Sequence, residues 1–373
     1  MKSNLKLYLT KELQSGMVSA QDVFDDSGSL IPLIRKDETL TNNVIAELRM
    51  RKVRAVYIKD APIRRDPGRP GIDRPSIIQV PKPRPVVDTK LRSEALESLE
   101  DAFALAALDK ENIHQSSTQI IRHVDAVVNQ LVNSLQREPG ALVNINDLKS
   151  YDEYTFHHSL SVAVLTIAIA QHMGFSQRDL NRIGMCAMMH DIGKTAVPLE
   201  IIHKPSRLDN SEFAIIKNHS PAGLEYLENT DIEDEDILRG VLHHHEKVDG
   251  TGYPHGIKGS EIPLWSRIIS VADVYDALTS NRPYRDPMQP QEAIEYIMGG
   301  VSSAFDYDTV SAFVRKVELY PVGSKVELSN GSVALVLNNE SQMRPIVQML
   351  DNGDVVDLYR DRSYLNVVVT RLL

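Results

Sequence analysis

Residues 243–254 read HHHEKVDGTGYP: three consecutive histidines, then charged residues, then a turn built around Gly-Tyr-Pro. The whole chain has 12 histidines, so this clustering asks for a reason. A helix satisfies one buried histidine with a hydrogen bond or two. Three in a row beside Glu246 and Asp249 call for something that binds imidazole nitrogen. Upstream, Ile237, Leu238, Val241 and Leu242 have the spacing of a helix whose last turn delivers the run. Neighbours on a helix diverge by about 100°, so at most two of the three reach one site.

The rest of the chain bounds what that site can be. At 373 residues, 42% hydrophobic and 25% charged, the composition is that of a globular protein with two or three domains. A net charge of −10 argues against polymeric nucleic acid as a partner, while a small anion in a local basic pocket still fits. Cys186 is the single cysteine, so no intramolecular disulfide can form and a reducing cytoplasm is expected. Its apolar helical context reads as a buried small side chain. The start, MKSNLKLYLTKEL, lacks the sustained apolar core of a signal peptide. The longest apolar run, VAVLTIAIA at 162–170, is too short to span a membrane, so no membrane association is expected.

Composition divides the chain into five parts. Residues 1–60 read as a small α/β unit with a regulatory role: GSLIPLI (28–34) strand-like, LTNNVIAEL (40–48) helical, VRAVYI (53–58) strand-like. Residues 61–90 form a proline-rich linker, with seven prolines between 62 and 85. Residues 91–138 form a helical connector, where Ile120, Val124, Val127, Val128, Leu131 and Leu135 make one stripe. That stripe could pack on the next domain or pair two subunits. Residues 139–318 are helical almost throughout. Residues 319–373 hold short β-branched runs, with Asn330-Gly331 as a hairpin signal. The fold class is therefore mainly α, with a small α/β unit before the helical core and a small β unit after it.

Four further stretches supply metal-type ligands. In YTFHHSLSVAVLTIAIA, His158 shares a face with Val162, Leu165 and Ile169, and His157 points elsewhere. In GMCAMMHDIGK an apolar helix ends on His190-Asp191, with Gly193 placed to terminate it and Lys194 three residues on. In LDNSEFAIIKNHSPAG, Asp209 and Glu212 form a capping box, and His219 lies at the break before a helix begun by Pro221. In PLWSRIISVADVYDALTSNRPYR, Pro263 opens a helix with Asp273 and Asp276 on one side, and Arg282 and Arg285 follow near Pro283. Each stretch alone has a bland reading as a satisfied core group or a surface charge. Together they give a His/Asp pocket with cations at its rim. Imidazole with carboxylate suits iron, manganese, zinc, cobalt or nickel, and about six ligands with one shared aspartate suit two ions. Two metals beside lysine and arginine are the arrangement for phosphoester hydrolysis by metal-hydroxide attack.

HDIGK (190–194), HHEKVDGTGYP (244–254) and DVYDALTSNRPYR (273–285) closely resemble the HD-GYP class of the HD phosphohydrolase superfamily, over roughly residues 140–310. The resemblance implies an all-helical core with a binuclear or trinuclear centre, commonly of iron or manganese. It also implies hydrolysis of the bacterial second messenger cyclic di-GMP to pGpG, and often on to GMP. Carried over by motif, the metal ligands are His158, His190, Asp191, His219, His244, His245 and Asp273, with Asp191 as the bridge. Lys194 stabilises the scissile phosphate, and Arg282 and Arg285 grip substrate phosphates. Tyr253 borders the pocket, and Asp276 is placed on the substrate side. Glu246 and Asp249 support or fix the loop, and His243 is a bystander. Family members with a third metal carry a glutamate one turn before the first histidine. Tyr154 stands there and Glu153 lies off the face, so two ions are expected and the step to GMP is in question.

Several alternatives stay open on the sequence. They are hydrolysis of cyclic GMP-AMP, a non-catalytic cyclic-dinucleotide receptor, and another HD chemistry such as nucleotide dephosphorylation or a di-iron oxygenase. A protein partner at the Gly-Tyr-Pro loop and a homodimer through the helices near 112–136 are also expectations.

Overall fold

A computed structural model describes residues 5–24, 32–59, 85–108, 113–137, 142–144, 154–204, 206–280, 286–339, 341 and 343–373. The chain divides into two units: Met1–Lys82 together with Tyr320–Leu373, and Pro83–Leu319.

In the first unit, Leu5–Leu9 (β1) pairs antiparallel with Ala55–Lys59 (β2), Leu7 opposite Tyr57. Asn42–Met50 (α1) lies between them in sequence, and Thr41 caps it by accepting the N–H of Val44 at 3.3 Å. Ile45 and Leu48 of α1 join Leu13, Val23, Ile34, Leu40, Val53, Val56 and Ile58 in one apolar cluster. Of the expected strand at 28–34, residues 28–31 lie outside the described residues, and Ile34 makes only an isolated bridge to Val23. The partner of β2 is instead LKLYL, a short alternation flanked by polar residues.

The C-terminal residues form a five-stranded antiparallel sheet, as their β-branched runs predict. Its strands are Lys325–Leu328 (β3), Val333–Asn338 (β4), Ile346–Met349 (β5), Val355–Asp357 (β6) and Val369–Leu372 (β7), in the order β6-β5-β4-β3-β7. Asn330-Gly331 turns β3 into β4: Gly331 has φ +81°, and the Asn330 side chain accepts the N–H of Ser332 at 3.1 Å. Leu7 and Leu9 share an apolar cluster with Leu337 and Ile346. Arg54 donates to Ser341 at 2.9 Å and pairs with Asp357 at 3.4 Å, and the Tyr57 hydroxyl meets Asp361 at 3.1 Å. The two ends of the chain thus contribute to one core.

The described residues of the second unit are helical almost throughout. Its helices are Thr89–Ala107 (α2), Ile113–Arg137 (α3), Tyr154–His172 (α4), Gln177–Met189 (α5), Leu199–Ile202 (α6), Asn210–Lys217 (α7), His219–Glu228 (α8), Glu235–His243 (α9), Leu264–Thr279 (α10), Pro290–Gly299 (α11) and Tyr307–Val314 (α12). Helix α4 packs against α5 and α10, which explains why VAVLTIAIA is apolar on every side: all nine residues are buried. On α3, Val124, Val127, Val128, Leu131 and Leu135 are buried against α2 and α5, each contributing about 1.5–3 kcal/mol. The stripe that could have joined two subunits is therefore covered within the chain. Cys186 is fully buried, as its context predicts. Among the described residues, no helix is long and apolar enough to cross a membrane.

Helix α9 is held by charge. Asp234 caps it, accepting the N–H of Asp236 at 3.1 Å, and also binds Arg182 of α5 at 2.5 Å. Arg182 reaches Asp236 at 2.8 Å as well, and its guanidinium lies 4.9 Å from the Trp265 ring centre. One arginine thereby fixes α9 against α5 and α10, the helices that carry the chemistry.

Candidate metal centre

Each histidine arrives at a helix position that its local sequence dictates. His190 is the C-cap of α5, His219 begins α8, and His244 is the C-cap of α9. At all three, ring Nδ1 meets the carbonyl three residues earlier: Ala187 at 2.7 Å, Ile216 at 2.6 Å and Val241 at 2.6 Å. A carbonyl only accepts, so Nδ1 carries the proton and Nε2 is left with a lone pair. His158 follows the same logic with a stronger acceptor, its Nδ1 lying 2.7 Å from the Asp276 carboxylate.

These rings converge. His219 Nε2 and His244 Nε2 stand 3.3 Å apart, a repulsive contact between two lone pairs unless a cation or proton lies between them. A proton is disfavoured, because burial pushes His219 below its usual pKa and His244 far below it. His190 Nε2 is buried without a hydrogen-bond partner. The donors fall into two groups whose atoms are close enough for one ion each: Asp191 with His219, His244 and His245, and His158 with His190 and Asp273.

Asp191 spans the two groups. Its Oδ1 is 3.5 Å from His219, and its Oδ2 is 3.5 Å from His158 and 3.4 Å from His190. Burial opposes its charge, but Lys194, His190 and His219 hold the carboxyl well below the usual range. Asp273 spans them too, with Oδ1 at 3.2 Å from His158 and Oδ2 at 3.7 Å from His245. Although it is buried, the hydrogen bond and charge of His158, with His245 and His190, depress its pKa. His158 is pressed the other way: desolvation would lower it, but Asp273 and Asp276 raise it to about 9. Two carboxylates and five imidazoles, with stranded nitrogens pointing inward, fit two divalent transition-metal ions.

The rim follows the chain. Lys194 projects from a 3₁₀ turn, Ile192–Ala196, and binds Asp191 at 2.5 Å while staying partly exposed. Gly193 does not end α5, which already stops at Met189; it serves close approach. A Cβ there would lie 2.0 Å from the His219 carbonyl oxygen and 2.3 Å from Gly223 N. Tyr253 stacks on His245 with centroids 4.7 Å apart, and Phe213 and Lys217 of α7 flank its ring. Burial raises the Tyr253 hydroxyl pKa, so it remains a neutral hydrogen-bonding group.

Sequence and structure part at Asp276. Asp276, placed on the substrate side, is buried behind His158 and bonds that ring and Ser280, so it orients a candidate ligand. His243, read as a bystander, is buried beside Glu246 and His255. The sequence signal for His255 was its place directly after Gly-Tyr-Pro. Glu246 and Asp249 do fix the loop: Glu246 accepts the N–H groups of His255 and Gly256, and Asp249 accepts that of Thr251. Arg282 and Arg285 lie outside the described residues, as does Glu153. Tyr154 opens α4.

Residues 140–309 match the family described as "HD domain". A cyclic di-GMP phosphodiesterase of Pseudomonas aeruginosa, PA4108, is 38% identical over 59% of this chain and 53% of its own length. The 3'3'-cGAMP-specific phosphodiesterase 1 of Vibrio cholerae is 36% identical over 48% of this chain and 41% of its own. The chain thus spans about half the length of the curated relatives it matches. The solved structure of Bd1817, an HDG"Y"P protein from Bdellovibrio bacteriovorus, covers 83% of this chain and 98% of its own. Its TM-score is 0.51 at 15% identity, a likeness of fold.

Proposed function

We propose, from the match of residues 140–309 to the HD-domain family and from their HD-GYP motifs, that the protein is a metal-dependent phosphodiesterase acting on cyclic di-GMP. The observation that carries this reading is the pair of facing Nε2 lone pairs on His219 and His244, joined through Asp191 to a second donor group. His219, His244, His245 and Asp191 would hold one ion, and His158, His190, Asp273 and the second oxygen of Asp191 the other. Iron or manganese is the proposed native metal, with nickel, cobalt and zinc as alternatives. Bound there, the ions supply Lewis acidity and a water activated near neutral pH.

The chain's own groups do the rest. Asp191 and Asp273 fix the spacing of the two positions, and the Nδ1 anchors keep His158, His190, His219 and His244 from turning away. Lys194, three residues after Asp191, places an ammonium where charge builds on the phosphoryl oxygens. Tyr253, with Phe213 and Lys217 beside it, offers a base-sized aromatic surface at the rim. Arg282 and Arg285 are assigned the flanking phosphates by motif. The names of the relatives support a cyclic dinucleotide, and Tyr154, at the position where three-metal members carry a glutamate, supports pGpG as the main product.

The test is hydrolysis of cyclic di-GMP, with cyclic GMP-AMP alongside, by protein purified without oxygen and supplied with ferrous or manganous ion. Release of pGpG is expected, and Asp191→Ala should drop turnover below detection and lower metal content. Retention of both by Asp191→Ala would overturn the assignment. Binding of nucleotide without turnover in metal-loaded protein would make it a receptor.

A further inference from the structure

The loop that carries Tyr253 is closed by a second constellation that shares no residue with the centre. His243 and Glu246 are 7% and 2% exposed at the end of α9, and exposed His255 lies just past the Gly-Tyr-Pro turn. His243 Nδ1 is 3.7 Å from Glu246 Oε1, and the rings of His243 and His255 are 5.2 Å apart. One ligand-type atom from each of the three lies within 4.8 Å of the others.

Two buried atoms here lack partners. Glu246 Oε1 accepts the N–H groups of His255 at 2.7 Å and Gly256 at 3.1 Å. Its Oε2 is buried with no partner, and so is His243 Nδ1. A carboxylate oxygen left bare in the interior costs stability unless a positive group meets it. His243 Nδ1 stands 3.7 Å from the other oxygen, Oε1, too long for a direct hydrogen bond, and makes none to Oε2. A cation seated among the three would satisfy Oε2 and Nδ1 together.

We propose that His243, Glu246 and His255 form a separate site for one divalent transition-metal ion of the zinc type, which fastens the Gly-Tyr-Pro turn to the end of α9. Two imidazoles and one carboxylate select zinc-like ions over calcium or magnesium, which take oxygen ligands. The ion touches neither substrate nor the centre. It acts through Tyr253, two residues before His255, by holding that ring on His245. It is a positioning device.

The experiment titrates zinc ion alone into untagged, full-length, metal-stripped protein against a chromogenic chelator. Wild type should bind one equivalent more than His255→Ala. Glu246→Gln keeps an oxygen for the two loop N–H groups and should lose the same equivalent. Asp191→Ala, altered only in the centre, should keep it, so failure of the hydrolytic reading leaves this count unchanged. Zinc should also slow amide exchange across residues 247–256 about tenfold in wild type and not in His255→Ala. Equal stoichiometry in wild type and His255→Ala would overturn the proposal, as would loss of that equivalent in Asp191→Ala.

Discussion

Two histidine clusters grow from the same end of α9, and they are built in opposite ways. The centre gathers residues from α4, the end of α5, the start of α8, the end of α9 and α10. Four of its rings have Nδ1 fastened to a carbonyl or carboxylate of the scaffold. The outer group lies within residues 243–255, and His243 Nδ1 is fastened to nothing. The difference is one of preorganisation. The centre's rings are aimed by the fold before any ion arrives, whereas the outer group would be completed by its ion. Removing metal should therefore leave the centre's geometry in place and loosen the outer loop.

The sharpest way to break that contrast is Gly193→Ala. The added Cβ would overlap the His219 carbonyl and Gly223, and neither backbone can retreat without moving α8. A loss of about 3 kcal/mol or more is expected, with one centre position impaired and the outer site intact. Thermal denaturation and metal counting check it, and a wild-type count would show that α8 is not fixed by this approach.

Asp276→Ala removes the acceptor that aims His158 while touching no other ligand of the centre. A loss of about 10–100-fold in activity or metal affinity is expected, with the fold retained. A change in KM alone would return Asp276 to the substrate side.

The ion-free centre should also carry its own pH signature. Burial lowers His245 to about 3 from 6.5, so between those values the unfolded chain binds more protons and stability falls as pH falls. His158 is raised to about 9, so its contribution is full below 6.5 and is lost as pH rises through 9. Denaturation of metal-stripped protein across this range should show the centre's contribution greatest near pH 6.5. Loading metal should abolish the alkaline limb and release a proton, because the ion replaces the one on His158. An alkaline limb unchanged by metal would detach His158 from the centre.

Arg182→Ala should do least. Its ion pairs with Asp234 and Asp236 are part-exposed, so about 1–2 kcal/mol is expected, with activity altered only a few-fold. A larger fall in activity than in stability would mean that α9 is aimed by this arginine and not by its apolar face.

Much of the candidate centre was legible because each of its donor residues sits at a helix end or on a helix face that periodicity exposes. His158 follows from Val162, Leu165 and Ile169 on its face, and His190 from the apolar run it terminates. The capping box at Asp209 and the hairpin at Asn330-Gly331 were equally local, and both formed as read. Asp276 was misplaced because i, i+3 spacing says that two aspartates share a side of a helix, not which of them faces the cavity. The bond to His158 decides that, and it joins residues 118 positions apart.

The sequence alone determined which residue types carry the chemistry and the helical frame that holds them, since side-chain periodicity and capping are local properties. Tertiary structure decided what no local pattern encodes: that both ends of the chain share a core through Leu7, Leu9, Leu337 and Ile346. It also decided that Asp273, like Asp191, faces both donor groups, and that His243 has a buried acid and a second imidazole beside it. Those relations depend on distances between atoms that no helix or strand repeat fixes, and only packing sets such distances.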